Sequence, residues 1–290
     1  MNYHARTPRR SQVVMLLSRM IMPLTVCLLV ALGALSFAQE QPPADSSSDK
    51  ITVPLTAAPR ETRSYKVNVD VKGKLLVEDS DQPVDLDALY ALKIAHKYGR
   101  REPDGFLPLE ISVIEADLTA NGQKLSVTPT AFPKLTLLLG RDWQTREFFG
   151  IAGTRYAVRT PGINYANLFI LFYPYGTDKP RAIGETWQEK VKLAGLDETY
   201  QIALTLKSVE KIDGVEAAVV REEITWLPAE PAGSVVTTTR AAAESFFALA
   251  NGKLLKSHAE CEVRFAKKDA GGQEQAASRA NIKVDIALAK

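Results

Sequence analysis

Three dipeptides, Asn121-Gly122, Asp213-Gly214 and Asn251-Gly252, each stand between two runs in which apolar residues recur at every second position. Asn-Gly and Asp-Gly take the positive φ values of tight hairpin turns at little cost, so each flanking pair of runs should fold back as antiparallel strands. Leu109, Ile111 and Val113, in one parity with Glu115 and Asp117, lead to the first turn, and Leu125 and Val127 return from it. Ile202, Leu204 and Leu206 lead through Ile212 to the second, and Val219, Ile224 and Trp226 supply the bulk of the return. Residues 235–249 lead to the third and 254–265 return. Tyr65, Val67, Val69 and Val71 alternate with Lys66, Asn68, Asp70 and Lys72, and Ile282, Val284, Ile286 and Leu288 close the chain in the same period. Strands joined in sequence by hairpins make a meander, and one this long has to curl or close to hide its edges. The expected fold is mainly β: an antiparallel meander forming a curved sheet or open barrel, with two packed halves as a variant and little helix.

Other stretches are less regular. Residues 85–99 carry Asp85 as a cap, Lys93 and Lys97 late and Gly99 as a stop, which are helix signals, yet Leu86, Ala88, Tyr90, Leu92, Ile94, His96 and Tyr98 alternate. Residues 236–250 hold the run Ala241-Ala242-Ala243-Glu244 and are ambiguous in the same way; for both, the hairpin context favours strand. The run Leu168, Phe169, Ile170, Leu171, Phe172, Tyr173 has no polar break and ends in turn residues, the pattern of a strand buried on both faces. A further strand is expected from about Gly184 past Trp187, whose indole is large enough to close over a core. Between them, Leu135 to Leu139 reads as a strand and residues 141–149 as a short helix or an exposed arm. Arg141, Arg146, Arg155 and Arg159 are interleaved there with Trp143, Phe148, Phe149 and Tyr156. That mixture fits a binding surface or, more blandly, a solvated rim over a core.

The first 38 residues read as a secretory signal. Arg6, Arg9, Arg10 and Arg19 form a basic leader, an apolar segment runs from Met20 to Leu35, and Ser36-Phe37-Ala38 places small residues where a signal peptidase reads them. Pro23 interrupts the apolar segment, which falls short of the about 20 residues a bilayer span needs, so no stable membrane span is expected after processing. The expected location is periplasmic or extracellular, with cleavage after Ala38. Residues 39–60, opening with Gln39-Glu40-Gln41-Pro42-Pro43, read as a flexible linker and residues 61–290 as the antiparallel domain, with a sub-division near 130–165.

Of 36 basic and 34 acidic side chains, four arginines lie in the leader, so removing it takes the formal charge from +2 to −2. A protein that grips nucleic acid needs a basic surplus to neutralise phosphates, and no such partner is expected. Only Cys261 follows Ala38, so no intramolecular disulfide is expected in the processed chain.

No catalytic constellation emerges. His96 and His258 are the histidines beyond the signal. The one compact grouping of nucleophile, base and acid types is Ser257-His258-Ala259-Glu260-Cys261, and on a strand His258 and Glu260 face one side while Cys261 faces the other. Glu115 with Asp117, and Glu222 with Glu223, are carboxylate pairs of the kind common on the wet side of an antiparallel sheet. There is no phosphate-binding glycine loop, calcium loop or Cys/His metal spacing, so no cofactor is expected and no metal, catalytic or ligand residue is assigned.

The segment Asp178-Lys179-Pro180-Arg181-Ala182-Ile183-Gly184-Glu185-Thr186-Trp187 resembles the run Lys-Pro-Val-x-x-Gly-Asp-x-Trp of a family of uncharacterised exported bacterial β-sheet proteins, a domain of unknown function. Ala182 and Glu185 stand where that run has Val and Asp. The signal, the residues Val-x-Gly-Lys-Leu starting at Val71, and Phe247 to Leu254 fall in the same order. The family is remotely similar to the open β-barrels of lipoprotein carriers, which hold acyl chains in a concave sheet; the resemblance implies a fold and carries over no catalytic residue.

The expected function is that of an exported, non-enzymatic protein whose concave sheet binds an apolar ligand or lipid, with Phe169, Phe172, Tyr173, Tyr175 and Trp187 as the motive. The alternatives are a structural or protein-interaction module of the cell envelope, with an envelope protein as partner, and an unrecognised secreted hydrolase. Amino-terminal sequencing of the protein recovered outside the inner membrane should begin at Gln39; a first residue before Ala38 would mean that the leader is retained.

Overall fold

A computed structural model of the chain describes residues 50–76, 83–132, 134–149, 165–192, 199–227, 235–268 and 274–290. The expected signal lies outside them, as do Arg155, Tyr156 and Arg159.

Among the described residues twelve strands form one antiparallel sheet. They are β1 (Thr62–Leu76), β2 (Pro83–Tyr98), β3 (Leu107–Ala120), β4 (Gln123–Leu125), β5 (Leu135–Leu139), β6 (Thr145–Phe149), β7 (Thr186–Lys192), β8 (Thr199–Ile212), β9 (Val215–Leu227), β10 (Val235–Ala248), β11 (Leu254–Lys268) and β12 (Glu274–Leu288). Their spatial order is β6-β5-β3-β2-β1-β12-β11-β10-β9-β8-β7, with β4 paired to β3 off this path. The eleven strands of the path curl into a nearly closed barrel-like sheet with one unsealed seam. Hairpins build β1 to β3 and β7 to β12, and the first and last strands then pair, from Tyr65 opposite Leu288 to Lys74 opposite Arg279. The two sequence halves therefore join edge to edge in one wall. The gap falls in mid-sequence, between the short strands β6 and β7, where Thr145 Oγ1 donates to Lys192 O at 3.5 Å.

The alternation read in the sequence decides which side chains enter the barrel. Tyr65, Val67, Val69 and Val71 on β1, Ile202, Leu204 and Leu206 on β8, and Ile282, Val284 and Ile286 on β12 are all buried in one core. Both ambiguous stretches are strands, β2 and β10, because in a continuous sheet their apolar parity faces the core. The turns at Asn121 (φ 49°) and Asp213 (φ 48°), each followed by a positive-φ glycine, have the expected left-handed geometry.

β3 departs from simple alternation. A bulge lies opposite Lys93 and Ile94, and Ile114 is the residue left without a register partner. Its insertion shifts the parity, so Glu115 and Asp117 stay outside while Ala116 and Leu118 turn inward.

Three further expectations are corrected. Residues 168–173 are no strand: Tyr165–Phe172 is a 3-10 helix, and Leu168 to Thr177 runs through the barrel interior. A short continuous apolar run is ambiguous between a strand and a helix buried on every side, and here it lies within the wall instead of joining it. Residues 145–149 form strand β6, neither helix nor free arm. The expected 39–60 linker ends earlier, since Ile51 pairs with Arg181 as an isolated bridge, Val53 N–H donates to Thr177 O at 2.8 Å, and Val53 and Leu55 are buried. Arg63 fastens this strap by donating from Nη2 to Thr56 O at 2.7 Å while it pairs with Glu61.

The barrel thus has a plug end, where the strap and residues 165–177 sit, and a far end, where β1 finishes and β2 begins. Trp143, itself in the left-handed region at φ 67°, stacks on Tyr173 with ring centroids 5.9 Å apart. Gly252 permits that stack: it has φ +65°, and a Cβ there would run into the Trp143 ring and stand 2.8 Å from Pro54 O. Gly252→Ala should therefore lower stability by about 2–4 kcal/mol, through both backbone strain and displacement of Trp143. Urea unfolding followed by tryptophan emission measures it, and an unchanged midpoint would show that Trp143 is not wedged there.

Candidate ligand-binding interior

An eleven-stranded wall is too wide for its own inward side chains to fill; about eight strands is the size at which they just do. The plug supplies the missing volume at one end. Phe172 meets Tyr65 edge-on at 5.0 Å and His96 at 4.7 Å, and Phe169 lies 6.1 Å from His96. Trp187 Nε1 donates to Tyr175 O at 3.0 Å, tying the end of the plug to β7. The aromatic group that motivated a ligand pocket in the sequence is thus covered by its own chain: Phe169, Phe172, Tyr173, Tyr175 and Trp187 are all buried core. At this end the interior is filled.

The plug is short against the wall. Eight 3-10 residues rise about 16 Å at about 2 Å each. Strands of 13 to 16 residues, at about 3.3 Å per residue and a tilt of about 40°, give a wall about 30–40 Å tall. Toward the far end the inward residues are apolar, and many are only partly buried: Leu86 and Tyr90 on β2, Leu118 on β3, Trp226 on β9, Ala241 on β10 and Cys261 on β11. Burial pushes the Tyr90 phenol up from its ordinary range and the Cys261 thiol up to about 12, with Glu262 adding to the latter.

Between plug and far end lies a group of polar side chains inside the wall. Glu222 is 0% exposed, faces inward on β9 opposite Leu204 of β8 and Ala243 of β10, and neither carboxylate oxygen has a hydrogen-bond partner. Burial raises its pKa to about 8; the adjacent Ser245 hydroxyl, which donates to Ser257 Oγ at 2.9 Å, works in the other direction. The Tyr175 hydroxyl is buried without a partner, and burial together with the Glu222 carboxyl raises its pKa. Tyr173 Oη, both His96 nitrogens, Trp143 Nε1 and Trp226 Nε1 are likewise buried and unpaired. His96 is 1% exposed, and burial, helped by the Arg63 charge, lowers its pKa to about 3. Buried polar groups are nearly always hydrogen-bonded, and each orphan costs about 1–3 kcal/mol.

The remaining sequence candidates are spread apart. His258 and Glu260 are on the outer face, His258 Nδ1 2.7 Å from Asp285 Oδ1, while Cys261 turns inward. His96 is far from them at the plug. Glu115 pairs with Lys93 at 2.8 Å and Asp117 with Lys124 at 2.9 Å, both outside. Glu223 faces outward beside Arg221 at 3.1 Å, so the Glu222-Glu223 pair is split across the wall. Arg146 stacks over Phe106 at 3.9 Å and Trp143 belongs to the core, while Arg155, Tyr156 and Arg159 of the same stretch lie outside the described residues. Among the described residues no group of three or more His, Cys, Asp or Glu side chains is placed to hold a metal ion, and no helix is long and apolar enough to cross a membrane. The interior position of Glu222 was carried in the sequence by one signal, its shared parity with Val220 and Ile224.

No family model and no curated protein matches the chain. Among solved structures it is similar to one of lipovitellin describing lipid–protein interactions, with a TM-score of 0.47 and 7% identity over 80% of this chain. The chain spans only 25% of that structure's length. It is also similar to DynF from the dynemicin biosynthesis pathway of Micromonospora chersina, with a TM-score of 0.22 and 7% identity over 84% of this chain and 91% of that one. Likenesses this slight do not transfer a ligand from one protein to another.

The two buried titratable groups set opposite pH limits on stability. Glu222 binds its proton more tightly folded than unfolded, so its contribution is full below about pH 4.5 and is lost as pH rises through about 8. His96 binds its proton less tightly folded, so its contribution is full above about pH 6.5 and is lost as pH falls toward 3. Glu222→Gln should therefore abolish a loss of about 2 kcal/mol between pH 6.5 and 9, and His96→Phe should flatten the acid side. Urea midpoints measured from pH 3 to 9 check both; a wild-type-like alkaline slope in the glutamine variant would mean that Glu222 is solvated.

Proposed function

We propose that the protein is exported and holds an apolar small molecule or lipid inside the far end of its barrel, without catalysing a reaction on it. The observation that carries this reading is the contrast between the two ends. At the plug end the aromatic side chains from Phe169 to Tyr175 are buried, and the partly exposed apolar residues are Leu168 in the plug and Ile51, Ala57, Leu249 and Leu288 at the strap and rim. At the far end Leu86, Tyr90, Leu118, Trp226, Ala241 and Cys261 face inward, are apolar or aromatic, and remain partly open. A concave apolar wall with a few convergent polar groups is the usual form of a small-molecule site. The basic leader and apolar segment support export.

The carrier reading thereby moves from the aromatic cluster, which is core, to the opposite end of the same barrel. Native mass spectrometry of residues 39–290 recovered after export, before and after organic extraction, should show a discrete added mass that extraction removes. Stripped protein should then bind the apolar dye N-phenyl-1-naphthylamine. Leu118→Lys, inside the far end, should weaken it at least tenfold, while Leu89→Lys, on the outer face of β2, should leave it unchanged. Equal binding by both variants, or no binding by the stripped protein, would overturn the proposal.

A further inference from the structure

Resting on that reading, we propose that the ligand carries one uncharged hydrogen-bonding headgroup, a hydroxyl or carbonyl of the kind found in a fatty alcohol or a neutral glyceride, seated between Glu222 and Tyr175. The wall and the plug together make this seat. Along β9 the inward residues run from Trp226 through Ile224 to Glu222, so a molecule entering from the far end passes an indole and an aliphatic rung before it meets the carboxyl. Ile224 faces Ala241 and Glu222 faces Ala243, so β10 sets methyl groups beside that row, with the buried Ser245 hydroxyl next to the carboxyl. The plug comes down to the same rung from the other side: Trp187, bonded to Tyr175 O, is registered opposite Leu204, and Leu204 is opposite Glu222. The path therefore ends at Glu222 Oε1 and Oε2 and Tyr175 Oη, three buried atoms without a partner.

The chemistry selects the headgroup. A protonated carboxyl and a phenol each donate one hydrogen bond and can accept another, so a hydroxyl placed between them can satisfy the orphan atoms, and a carbonyl can accept from both donors, with no net charge. A carboxylate or phosphate head would bring a buried negative charge to a site whose registered neighbours, Leu204 and Ala243, carry none to balance it. An amine head would have to draw Glu222 into its charged form in an apolar surround, exchanging one desolvation cost for two.

Chain-matched tetradecanol, tetradecanoate and tetradecylamine, each competing with N-phenyl-1-naphthylamine at pH 7, distinguish these heads. The wild type should release dye at a tetradecanol concentration at least tenfold below that needed for the acid or the amine. Glu222→Gln, neutral and able both to donate and to accept, should keep that preference. Glu222→Leu and, independently, Tyr175→Phe should reduce it to within about threefold while the dye still binds. If the acid or amine competes as well as the alcohol, or if both apolar variants keep the alcohol preference, the headgroup seat is refuted while the far-end apolar site stands. If none of the proteins binds dye, the apolar site itself falls and the seat falls with it.

Discussion

The width of the wall is the constraint on which the rest depends. Antiparallel strands with one apolar face must hide that face, and closing them into a barrel does so only if the enclosed volume is filled. Here closure is achieved by pairing β1 with β12, the two ends of the domain, along ten registered residue pairs. The junction is tight: at Gly73 a Cβ would collide with the Arg279 carbonyl oxygen, so the strands meet there only because no side chain stands between them. An eleven-strand circumference then leaves a hole that wall residues alone cannot fill, and the middle of the chain enters it.

That arrangement explains why polar chemistry lies where the wall would ordinarily be apolar. The plug brings Tyr173 and Tyr175 inside, and β2 and β9 answer with His96 and Glu222. Two of these groups have their protonation set by burial alone or nearly so, His96 held neutral and Glu222 held protonated near neutrality. A domain whose stability is only about 0.1 kcal/mol per residue carries such groups at an appreciable cost. The arrangement is understandable if the polar groups have a partner to receive.

Much of the wall was legible in the sequence because its signals are local. A period of two over Tyr65 to Val71, and turn dipeptides with positive φ at Asn121 and Asp213, act over a few residues and need no distant contact to be read. The helix signals of 85–99 were overruled by the same alternation, and the sheet agrees. The plug was not legible. Leu168 to Tyr173 is apolar at every position, so it has no period from which a wall strand could be told from an internal helix. Nor was the split of Glu222 from Glu223 read as a site, because a buried carboxylate and a surface one look alike until their strand has neighbours on both sides.

The antiparallel class, the hairpin order and most of the inward parity are written in the chain locally, since each follows from backbone sterics and burial over short distances. The pairing of the first and last strands, the filling of one barrel end by the aromatic run and the bulge at Ile114 that turns Glu115 and Asp117 outward emerge only in the folded sheet. Those outcomes depend on the circumference at which the wall closes and the volume left inside it. Both are properties of the whole sheet that no window of the chain contains.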